Sequence, residues 1–247
     1  MTPPNDDVIC VVCARGGSKG LPRKNVRLLD GEPLIARPVR HARESGVIGT
    51  ILVTTDDEEI AQAARAAGAL VPFLRPSDLA GDLVTVEDTL KHALVTYEAM
   101  TGRRFEIAVF LTATDIFRKP EWIREAVELL RARPALESVF SGHRTHKNFW
   151  ERQDDGTWTR LRPWMALYAC RQVRQTVVRE DTGLACASRA DLWRQGRRIG
   201  DTVEILVNDD DFTGIDIHRE DDLRLAQTVL DMRKIGDGPA PDGEGGT

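Results

Sequence analysis

The chain has 247 residues, of which 41% are hydrophobic and 30% are charged, a balance typical of a soluble globular protein. Its formal net charge of −5 argues against a nucleic-acid-binding protein, which needs a basic face. No apolar run approaches the roughly 18 residues that span a bilayer, so no membrane association is expected. The N-terminal stretch M-T-P-P-N-D-D lacks the basic and apolar regions of a signal peptide, which predicts a cytoplasmic protein.

Predicted strands and helices alternate along the chain. That alternation indicates βαβ units and a mostly parallel sheet with helices packed on it. The helix at 33–44 is predicted to face inward with Leu34 and Val39 and outward with Arg37, Arg40 and Arg43. Strands are predicted at 8–12, 48–55, 70–73, 107–111, 137–141 and 203–207, and helices at 33–44, 56–67, 85–97, 120–132 and 219–232.

The segment 13–25, C-A-R-G-G-S-K-G-L-P-R-K-N, follows the first predicted strand directly. Its glycines allow sharp turns and a close approach of the backbone to a ligand. Exposed amides together with several cations suit a polyphosphate, whose oxygens need many donors at once. An ordinary basic surface loop is the alternative. The order of Lys19 and Gly20 excludes a Walker A loop, and Pro22 with the charges after it excludes a dinucleotide fingerprint.

Cysteines occur at four scattered positions, and Cys10 with Cys13 forms a C-x-x-C pattern that is typical of metal or redox sites. Residues three apart on a strand point to opposite faces, so this pair cannot act together there. We interpret both as structural residues, because free cysteine packs as a small hydrophobic side chain.

The loop residues resemble the signature of the CMP-sugar synthetases (acylneuraminate cytidylyltransferases), A-R-x-G-S-K-G-x-x-x-K-N. The G-E-P-L-I run at 31–35 continues the resemblance, since the family has G-K-P-L-I. The resemblance implies a Rossmann-like nucleotidyltransferase sheet with helices on both faces. It also implies that Arg15, Lys19 and Lys24 hold a triphosphate and that Asn25 contacts its α-phosphate. The remaining loop residues that it assigns to nucleotide binding are Ala14, Gly16, Gly17 and Ser18.

Two further segments continue the same resemblance on the nucleotide side. T-T-D-D-E-E-I-A at 54–61 is similar to the family's S-T-D-D-x-x-I-A. R-P-S-D-L-A at 75–80 is similar to its R-P-x-x-L-A. The resemblance implies that Arg75, Asp82 and Thr85 help to form a cytidine pocket, whereas we interpret His92 as a residue on the surface of a helix.

The acceptor side departs from the family pattern. Residues 111–118, L-T-A-T-D-I-F-R, stand where the family usually has L-Q-x-T-S-P-x-R. Thr114 and Arg118 match and are implied to bind substrate, as are Gln172 and Gln175, which are alternative matches to an R-Q pair. Asp115 replaces a serine and is either a metal ligand or a cap or turn residue.

The family places a D-x-D metal motif before its final helix, and the matching residues here are Asp216 and His218. The resemblance implies Mg²⁺ or another divalent cation, and Mg²⁺ is bound through one or two carboxylates plus water and phosphates. Imidazole is a better ligand for transition metals than for Mg²⁺. Three possibilities for the metal site therefore stay open: Asp216 suffices as the single carboxylate ligand, Asp115 or a residue of 209–211 provides a second one, or the metal preference has changed. If His218 does not bind the metal ion, its alternative role is that of a general base for a sugar hydroxyl.

We predict a nucleotidyltransferase domain at 1–235, with an inserted lobe at about 142–183, and a disordered tail at 236–247. The resemblance implies that this lobe mediates a homodimer, for which its tryptophans suit an interface; a local hairpin that covers the sheet is the alternative. The implied reaction transfers CMP from CTP to the anomeric hydroxyl of an acidic 2-keto sugar, a nonulosonate similar to sialic acid. The alternatives are a related nucleotidylyltransferase with another acceptor, such as a sugar phosphate, and a non-catalytic nucleotide-binding protein.

Overall fold

The structure, a computed structural model, describes residues 5–168, 170 and 172–236, in which strands and helices alternate along the chain. The strands are β1 (Val8–Cys13), β2 (Leu28–Leu29), β3 (Glu32–Pro33), β4 (Thr50–Thr54), β5 (Ile107–Leu111), β6 (Ser138–Thr145), β7 (Trp150–Arg152), β8 (Trp158–Arg160), β9 (Val177–Glu180), β10 (Cys186–Arg189) and β11 (Val203–Asn208). The helices are α1 (Ala36–Glu44), α2 (Glu58–Ala66), α3 (Val86–Thr101), α4 (Pro120–Ala132), α5 (Ala190–Arg194) and α6 (Glu220–Gly236).

The main sheet has the order β11–β6–β10–β5–β1–β4, and β9 pairs with the end of β6. β1 is parallel to β4 and to β5, and β6 is parallel to β11. β10 lies between β5 and β6 and is antiparallel to both. The carboxyl ends of the parallel strands therefore meet at one edge, where ligands of such sheets bind.

Helices cover both faces of the sheet, as predicted. Along β1, Val8, Cys10 and Val12 point to the face that packs against α1, α2, α4 and α6. Ile9 and Val11 point to the opposite face, which α3 and α5 cover. This alternation is the period-two pattern of a strand that is buried on both sides.

Several elements begin or end at residues whose chemistry favours that boundary. The Asp57 carboxylate caps α2 by accepting a hydrogen bond from the Ile60 amide at 3.0 Å, and Thr85 caps α3 in the same way. Gly68 ends the α2 segment with a φ of 90°. β7 and β8 form a hairpin, with Gly156 at a φ of 84° in its turn. Cys10 is buried with its thiol free, and burial raises its pKa to about 12, which fits a structural role.

Other predictions need correction. The helix expected from residue 33 begins at Ala36, because Glu32 and Pro33 pair with β2 instead. Arg37 was expected outside but is buried, where its guanidinium donates to the Leu29 carbonyl oxygen at 3.2 Å. The strand predicted at 70–73 is reduced to a single bridge between Leu70 and Leu52.

The segment 142–183 carries the outer part of β6, the β7–β8 hairpin and β9. Among the described residues, no helix is long and apolar enough to cross a membrane. The tail predicted at 236–247 lies outside the described residues, apart from Gly236 at the end of α6.

Candidate active site

The loop after β1 begins at the carboxyl edge of the sheet. The Ala14 amide donates to the Thr54 carbonyl oxygen at 3.1 Å, and the Gly16 amide donates to Asp56 Oδ1 at 3.0 Å. A Cβ at Gly16 would lie 2.9 Å from the Cβ of Asp57, so the loop passes this acidic turn only because residue 16 has no side chain. The β4 end therefore fixes the position of the glycine loop.

The same loop touches the segment that precedes α6. A Cβ at Gly20 would lie 2.5 Å from the His218 carbonyl oxygen, and Lys24 Nζ donates to the Ile217 carbonyl oxygen at 3.0 Å. Burial lowers the pKa of Lys24, an effect that the nearby carboxylate of Asp216 opposes. The structure thus brings the predicted triphosphate loop and the predicted metal ligand together.

Arg15 and Lys19 share one carboxylate. Arg15 Nη1 lies 2.9 Å from Asp82 Oδ1, and Lys19 Nζ lies 2.5 Å from Asp82 Oδ2. These contacts hold the Asp82 pKa below its usual range, with the Lys19 hydrogen bond as the main cause. All three side chains are partly exposed at the mouth of a cavity.

That cavity has a volume of about 310 Å³, at the lower end of the range for small-ligand pockets. Three predicted nucleotide residues, Arg75, Asp82 and Thr85, contribute to it, and Arg15 contributes from the loop. Arg75 is buried and lies 3.4 Å from Asp56 Oδ1, while its Nε finds no hydrogen-bond partner in the described part of the chain. The complete lining is Cys13, Arg15, Arg75, Leu79, Ala80, Gly81, Asp82, Val84, Thr85, Val86 and Thr89.

Two loop residues have internal roles that the sequence did not reveal. Asn25 is buried, and its Nδ2 donates to the Arg15 carbonyl oxygen at 3.0 Å, which holds the two ends of the loop together. The Ser18 amide donates to the Gly16 carbonyl oxygen at 2.9 Å. A Cβ at Gly17 would meet no atom within 4 Å, so this part of the loop faces open space.

Asp115 and Asp216 lie side by side at the floor of the site. They form an isolated antiparallel bridge, and the Ile217 amide donates to the Thr114 carbonyl oxygen at 3.3 Å. Burial raises the pKa of Asp115, whose carboxylate accepts a hydrogen bond from the Thr112 hydroxyl. Thr114 thus holds the Asp216 segment in place with its backbone.

The Asp216 carboxylate has one oxygen engaged and one free. Its Oδ2 lies 2.8 Å from His218 Nε2, and its buried Oδ1 has no hydrogen-bond partner among the residues described. No group of three or more His, Cys, Asp and Glu side chains in the described ranges could hold a metal ion by itself. A cation here would therefore take its remaining ligands from phosphates and water.

Arg118, predicted to contact substrate, is buried and its donors face inward. Its Nε donates to the Leu184 carbonyl oxygen at 2.5 Å, and its Nη2 donates to the carbonyl oxygens of Thr112 and Gly183. Burial lowers its pKa to about 10. Arg118 therefore positions the Thr112–Asp115 turn against the strand that follows the lobe, rather than pointing into the cleft.

Gln172 and Gln175 lie apart from the nucleotide cavity. Gln172 borders a second, polar cavity of about 540 Å³, together with His143, Arg144 and Asp209. Gln175 is exposed. The structure does not bring either glutamine to the Arg15 cavity.

Two further residues, Arg198 and Gly183, lie near the site. Arg198 lies 3.4 Å from Glu87 and 3.5 Å from Glu180, over the ring of Phe110 at the end of β5. Gly183 passes so close to the Asp115 carboxylate that a side chain there would overlap it. Only the three-dimensional fold brings both residues to this edge, and a single sequence carries no signal for that.

Known proteins are similar in sequence to part of this chain. It is 44% identical over 122 residues to CMP-N,N'-diacetyllegionaminic acid synthase of Legionella pneumophila, a match that covers 49% of this chain and 52% of that protein. It is 34% identical over 168 residues to N-acylneuraminate cytidylyltransferase A of Danio rerio, which covers 68% of this chain and 37% of that protein. The chain thus spans about half the length, or less, of these curated relatives.

Solved structures share its fold at low identity. CMP:2-keto-3-deoxy-manno-octonic acid synthetase in complex with CTP superposes with a TM-score of 0.64 at 18% identity, covering 92% of this chain and 99% of that one. A 4-diphosphocytidyl-2C-methyl-D-erythritol synthase from Anaerococcus prevotii gives 0.60 at 12% identity, with coverages of 92% and 99%.

A family model described as cytidylyltransferase matches residues 9–195. That range contains β1, the glycine loop, the Arg15 cavity, the Asp115 turn and the lobe. With this match over most of the chain, the protein belongs to the cytidylyltransferase family.

Proposed function

We propose that this protein transfers CMP from CTP to the anomeric hydroxyl of a 2-keto sugar acid and releases pyrophosphate. The observation that carries the proposal is the contact between the glycine loop and the Asp216 segment, made through Lys24 and Gly20. It sets several cations and a carboxylate with a free oxygen at one edge of the sheet, beside a cavity large enough for a small ligand.

The reaction needs little covalent chemistry from the protein. The sugar hydroxyl loses its proton to water as its oxygen bonds to the α-phosphorus. The bond between that phosphorus and the oxygen that bridges to the β-phosphate breaks, and pyrophosphate leaves with the bonding electrons. Arg15, Lys19 and Lys24 would neutralise the charge on the triphosphate and on the leaving pyrophosphate. Amides near Gly17 would add neutral donors, and Asn25 would hold the loop in shape while its side chain lies near the α-phosphate. Catalysis would then rest on positioning and on charge stabilisation.

A divalent cation fits the Asp216 end of the site. The buried, unpartnered Oδ1 of Asp216 offers one anionic ligand, and Asp115 is adjacent. Mg²⁺ accepts such an incomplete protein site, because phosphates and water complete its octahedron. Asp216, with Asp115 beside it, would hold the ion, and the ion would supply positive charge that offsets the charge of the phosphates. His218, which contacts Asp216, would then be displaced or would take part in binding.

We base the proposed acceptor on the sugar acids that the names of the relatives contain. Their names refer to legionaminic and N-acylneuraminic acids, and a nonulosonate of this kind is the acceptor that we propose here. A sugar phosphate is the second candidate, favoured by Asp115 and His218, which depart from the residues usual at those positions.

We also propose a homodimer formed through the lobe at 142–183. On the β7–β8 hairpin, Trp150 and Trp158 lie on the same face and are 46% and 60% exposed. Tryptophan is enriched at protein interfaces, where a large apolar ring gains from burial. The cytoplasmic location expected from the sequence stays a prediction.

An assay of pyrophosphate release tests the proposed function. The protein is incubated with Mg²⁺, each of the four ribonucleoside triphosphates in turn, and a panel of nine- and eight-carbon 2-keto sugar acids and hexose 1-phosphates. We expect turnover with CTP and at least one sugar acid. Turnover with sugar phosphates alone would favour the second candidate, and CTP binding without turnover under any metal would point to a non-catalytic relative.

A further inference from the structure

The Asp82 carboxylate forms ion pairs with Arg15 and Lys19, two cations that the proposed function assigns to the triphosphate. Its two carboxylate oxygens contact Arg15 at 2.9 Å and Lys19 at 2.5 Å, and Arg15 Nη1 also lies 3.5 Å from the Gly81 carbonyl oxygen. The proposed function assigns both cations to the triphosphate, so the Asp82 carboxylate is bound to groups that phosphate oxygens would also use. A carboxylate and a phosphate oxygen compete for N–H donors and repel each other, so each weakens the binding of the other to these two cations.

The segment that carries Asp82 is exposed and weakly held. Gly81 and Asp82 are exposed, and the apolar side chain of Leu83 is 97% exposed. The segment lies between two firm attachments: the Arg75 amide bonds to Thr55, and Thr85 caps α3. Rotating the Asp82 side chain away from the two cations therefore exposes no buried apolar residue, and the ion pairs that it breaks are partly exposed.

We propose that Asp82 is an internal competitor for the triphosphate cations: it yields Arg15 and Lys19 to bound CTP and takes them back as pyrophosphate leaves. The inference rests on the proposed function only in that CTP binds at this loop and pyrophosphate is released there. The exchange makes and breaks no covalent bond. Because Asp82 competes for Arg15 and Lys19, CTP binds more weakly than it would if these two cations had no carboxylate partner. The same competition favours the release of pyrophosphate, which carries two of the phosphate groups of CTP.

A contrasting role for Asp82 makes the opposite prediction. If the carboxylate positions the two cations for the nucleotide, or binds the cation that accompanies the triphosphate, its removal weakens binding. If it competes, its removal tightens binding of every ligand that uses both cations. Cytidine, which has no phosphate, separates this effect from a change in the shape of the cavity.

The test compares Asp82→Asn with Asp78→Asn by calorimetric titration with pyrophosphate, CTP and cytidine, in the absence of any acceptor. Asp78 is exposed on the same segment and contacts neither cation, so its variant controls for the loss of one charge nearby. Removing the competition of two exposed ion pairs should change the affinity for a phosphate ligand about five- to tenfold. We expect Asp82→Asn to bind pyrophosphate and CTP tighter by about that factor, with cytidine binding unchanged.

Turnover gives a second measurement. In the Asp82→Asn enzyme, inhibition by added pyrophosphate should become stronger by the same factor, while Asp78→Asn keeps the wild-type inhibition. Unchanged or weaker pyrophosphate binding in Asp82→Asn would overturn the proposal. Asp82→Ser, which also removes the charge, replaces the first variant if that variant does not fold.

The failure of the inference is distinguishable from the failure of the proposed function. A wild-type protein that binds CTP and pyrophosphate but transfers CMP to no acceptor contradicts the proposed reaction and leaves the competition measurable. A wild-type protein that binds neither ligand overturns both.

Discussion

Lys24 Nζ donates a hydrogen bond to the carbonyl oxygen of Ile217 at 3.0 Å, across a sequence separation of 193 residues. This contact joins the loop after the first strand to the segment before the last helix. It places an ammonium group close to the Asp216 carboxylate, although burial disfavours the charged form of the lysine. This contact therefore holds the two ends of the site together.

Replacing Arg15 with alanine should lower kcat/KM by about 10- to 100-fold, because a charge-assisted contact to phosphate is worth roughly 1.5–3 kcal/mol. The free energy of unfolding should change by no more than about 0.5 kcal/mol, since the side chain is partly exposed. Steady-state kinetics and urea denaturation measure the two effects. Arg23→Ala is the matched control, because Arg23 lies in the same loop but pairs with Glu59 of α2. Equal losses in both variants would contradict a specific role for Arg15.

Replacing Gly20 with alanine should separate the loop from the Asp216 segment. The new Cβ would lie 2.5 Å from the backbone oxygen of His218, which has no flexible end to move aside. We expect a loss of stability of about 1–3 kcal/mol, together with loss of turnover. Gly17→Ala, whose Cβ meets no atom within 4 Å, is the control for stability and should unfold like the wild type. Full activity in Gly20→Ala would show that the contact is not needed.

Metal dependence tests the Asp216 end of the site. Asp216→Asn should lose most Mg²⁺-dependent turnover, because the free Oδ1 is the anionic ligand that we propose. The control Asp221→Asn removes an exposed carboxylate from the first turn of α6 and should behave like the wild type. An Mg²⁺ titration that is identical for Asp216→Asn and the wild type would rule out Asp216 as a ligand.

The His218→Asp variant tests whether the imidazole sets the metal preference. A second carboxylate beside Asp216 should lower the Mg²⁺ concentration for half-maximal activity by about fivefold, because Mg²⁺ prefers oxygen ligands. We expect the ratio of Mn²⁺-supported to Mg²⁺-supported activity to be higher in the wild type than in His218→Asp, since imidazole suits transition metals. Titrations of both ions with both proteins give the comparison, and an unchanged ratio would show that His218 does not ligate the ion.

Replacing Trp158 with lysine should weaken the proposed homodimer. Trp158 is 60% exposed on the hairpin face that also carries Trp150, and a charge there would oppose burial. Sedimentation over a range of concentrations should show a monomer for Trp158→Lys and a dimer for the wild type. Met100→Lys, at an exposed position on α3, should leave the dimer intact. A wild type that is monomeric at every concentration would contradict the dimer.

The buried His41 predicts a pH dependence of stability. Burial, reinforced by nearby arginines, lowers its pKa to about 3, whereas the unfolded chain should have a pKa near ~6.5. Below that value the unfolded state binds a proton that the native state excludes, so the free energy of unfolding falls as pH decreases. The slope can reach about 1.4 kcal/mol per pH unit for one proton. Urea denaturation at pH 7, 6 and 5 should show a shallower slope for His41→Gln; equal slopes would contradict the prediction.

The parallel part of the fold could be read from the sequence because its signals are local. Runs of apolar residues predicted β1, β4 and β5. Asp57 and Thr85 are residue types that favour the start of a helix, and each caps one in the structure. β10 was not predicted, because C-A-S-R is short, has small side chains and shows no alternation. Its place between two distant strands is decided by tertiary pairing.

Sequence motifs predicted the individual segments of the candidate site, but not how these segments meet in space. The glycine loop and Asp216 were predicted separately, and the structure brings them together. Arg37 was misplaced because a charged side chain at the edge of a helical pattern is expected to be exposed, and Arg118 was assigned to substrate only through its match to the family motif. Here the guanidinium groups reach backbone carbonyl oxygens inside the protein, which offsets their burial.

The position of β10 has a consequence for how the protein folds during synthesis. β5 and β6 never pair with each other, and the strand that joins them is made after both. Until residue 189 has left the ribosome, β4, β1 and β5 can form only a partial sheet with an unprotected apolar edge. Such an edge invites pairing with other chains. We therefore expect nascent chains that end before β10 to depend on chaperones, and the full-length chain to be released from that dependence once β10 closes the gap.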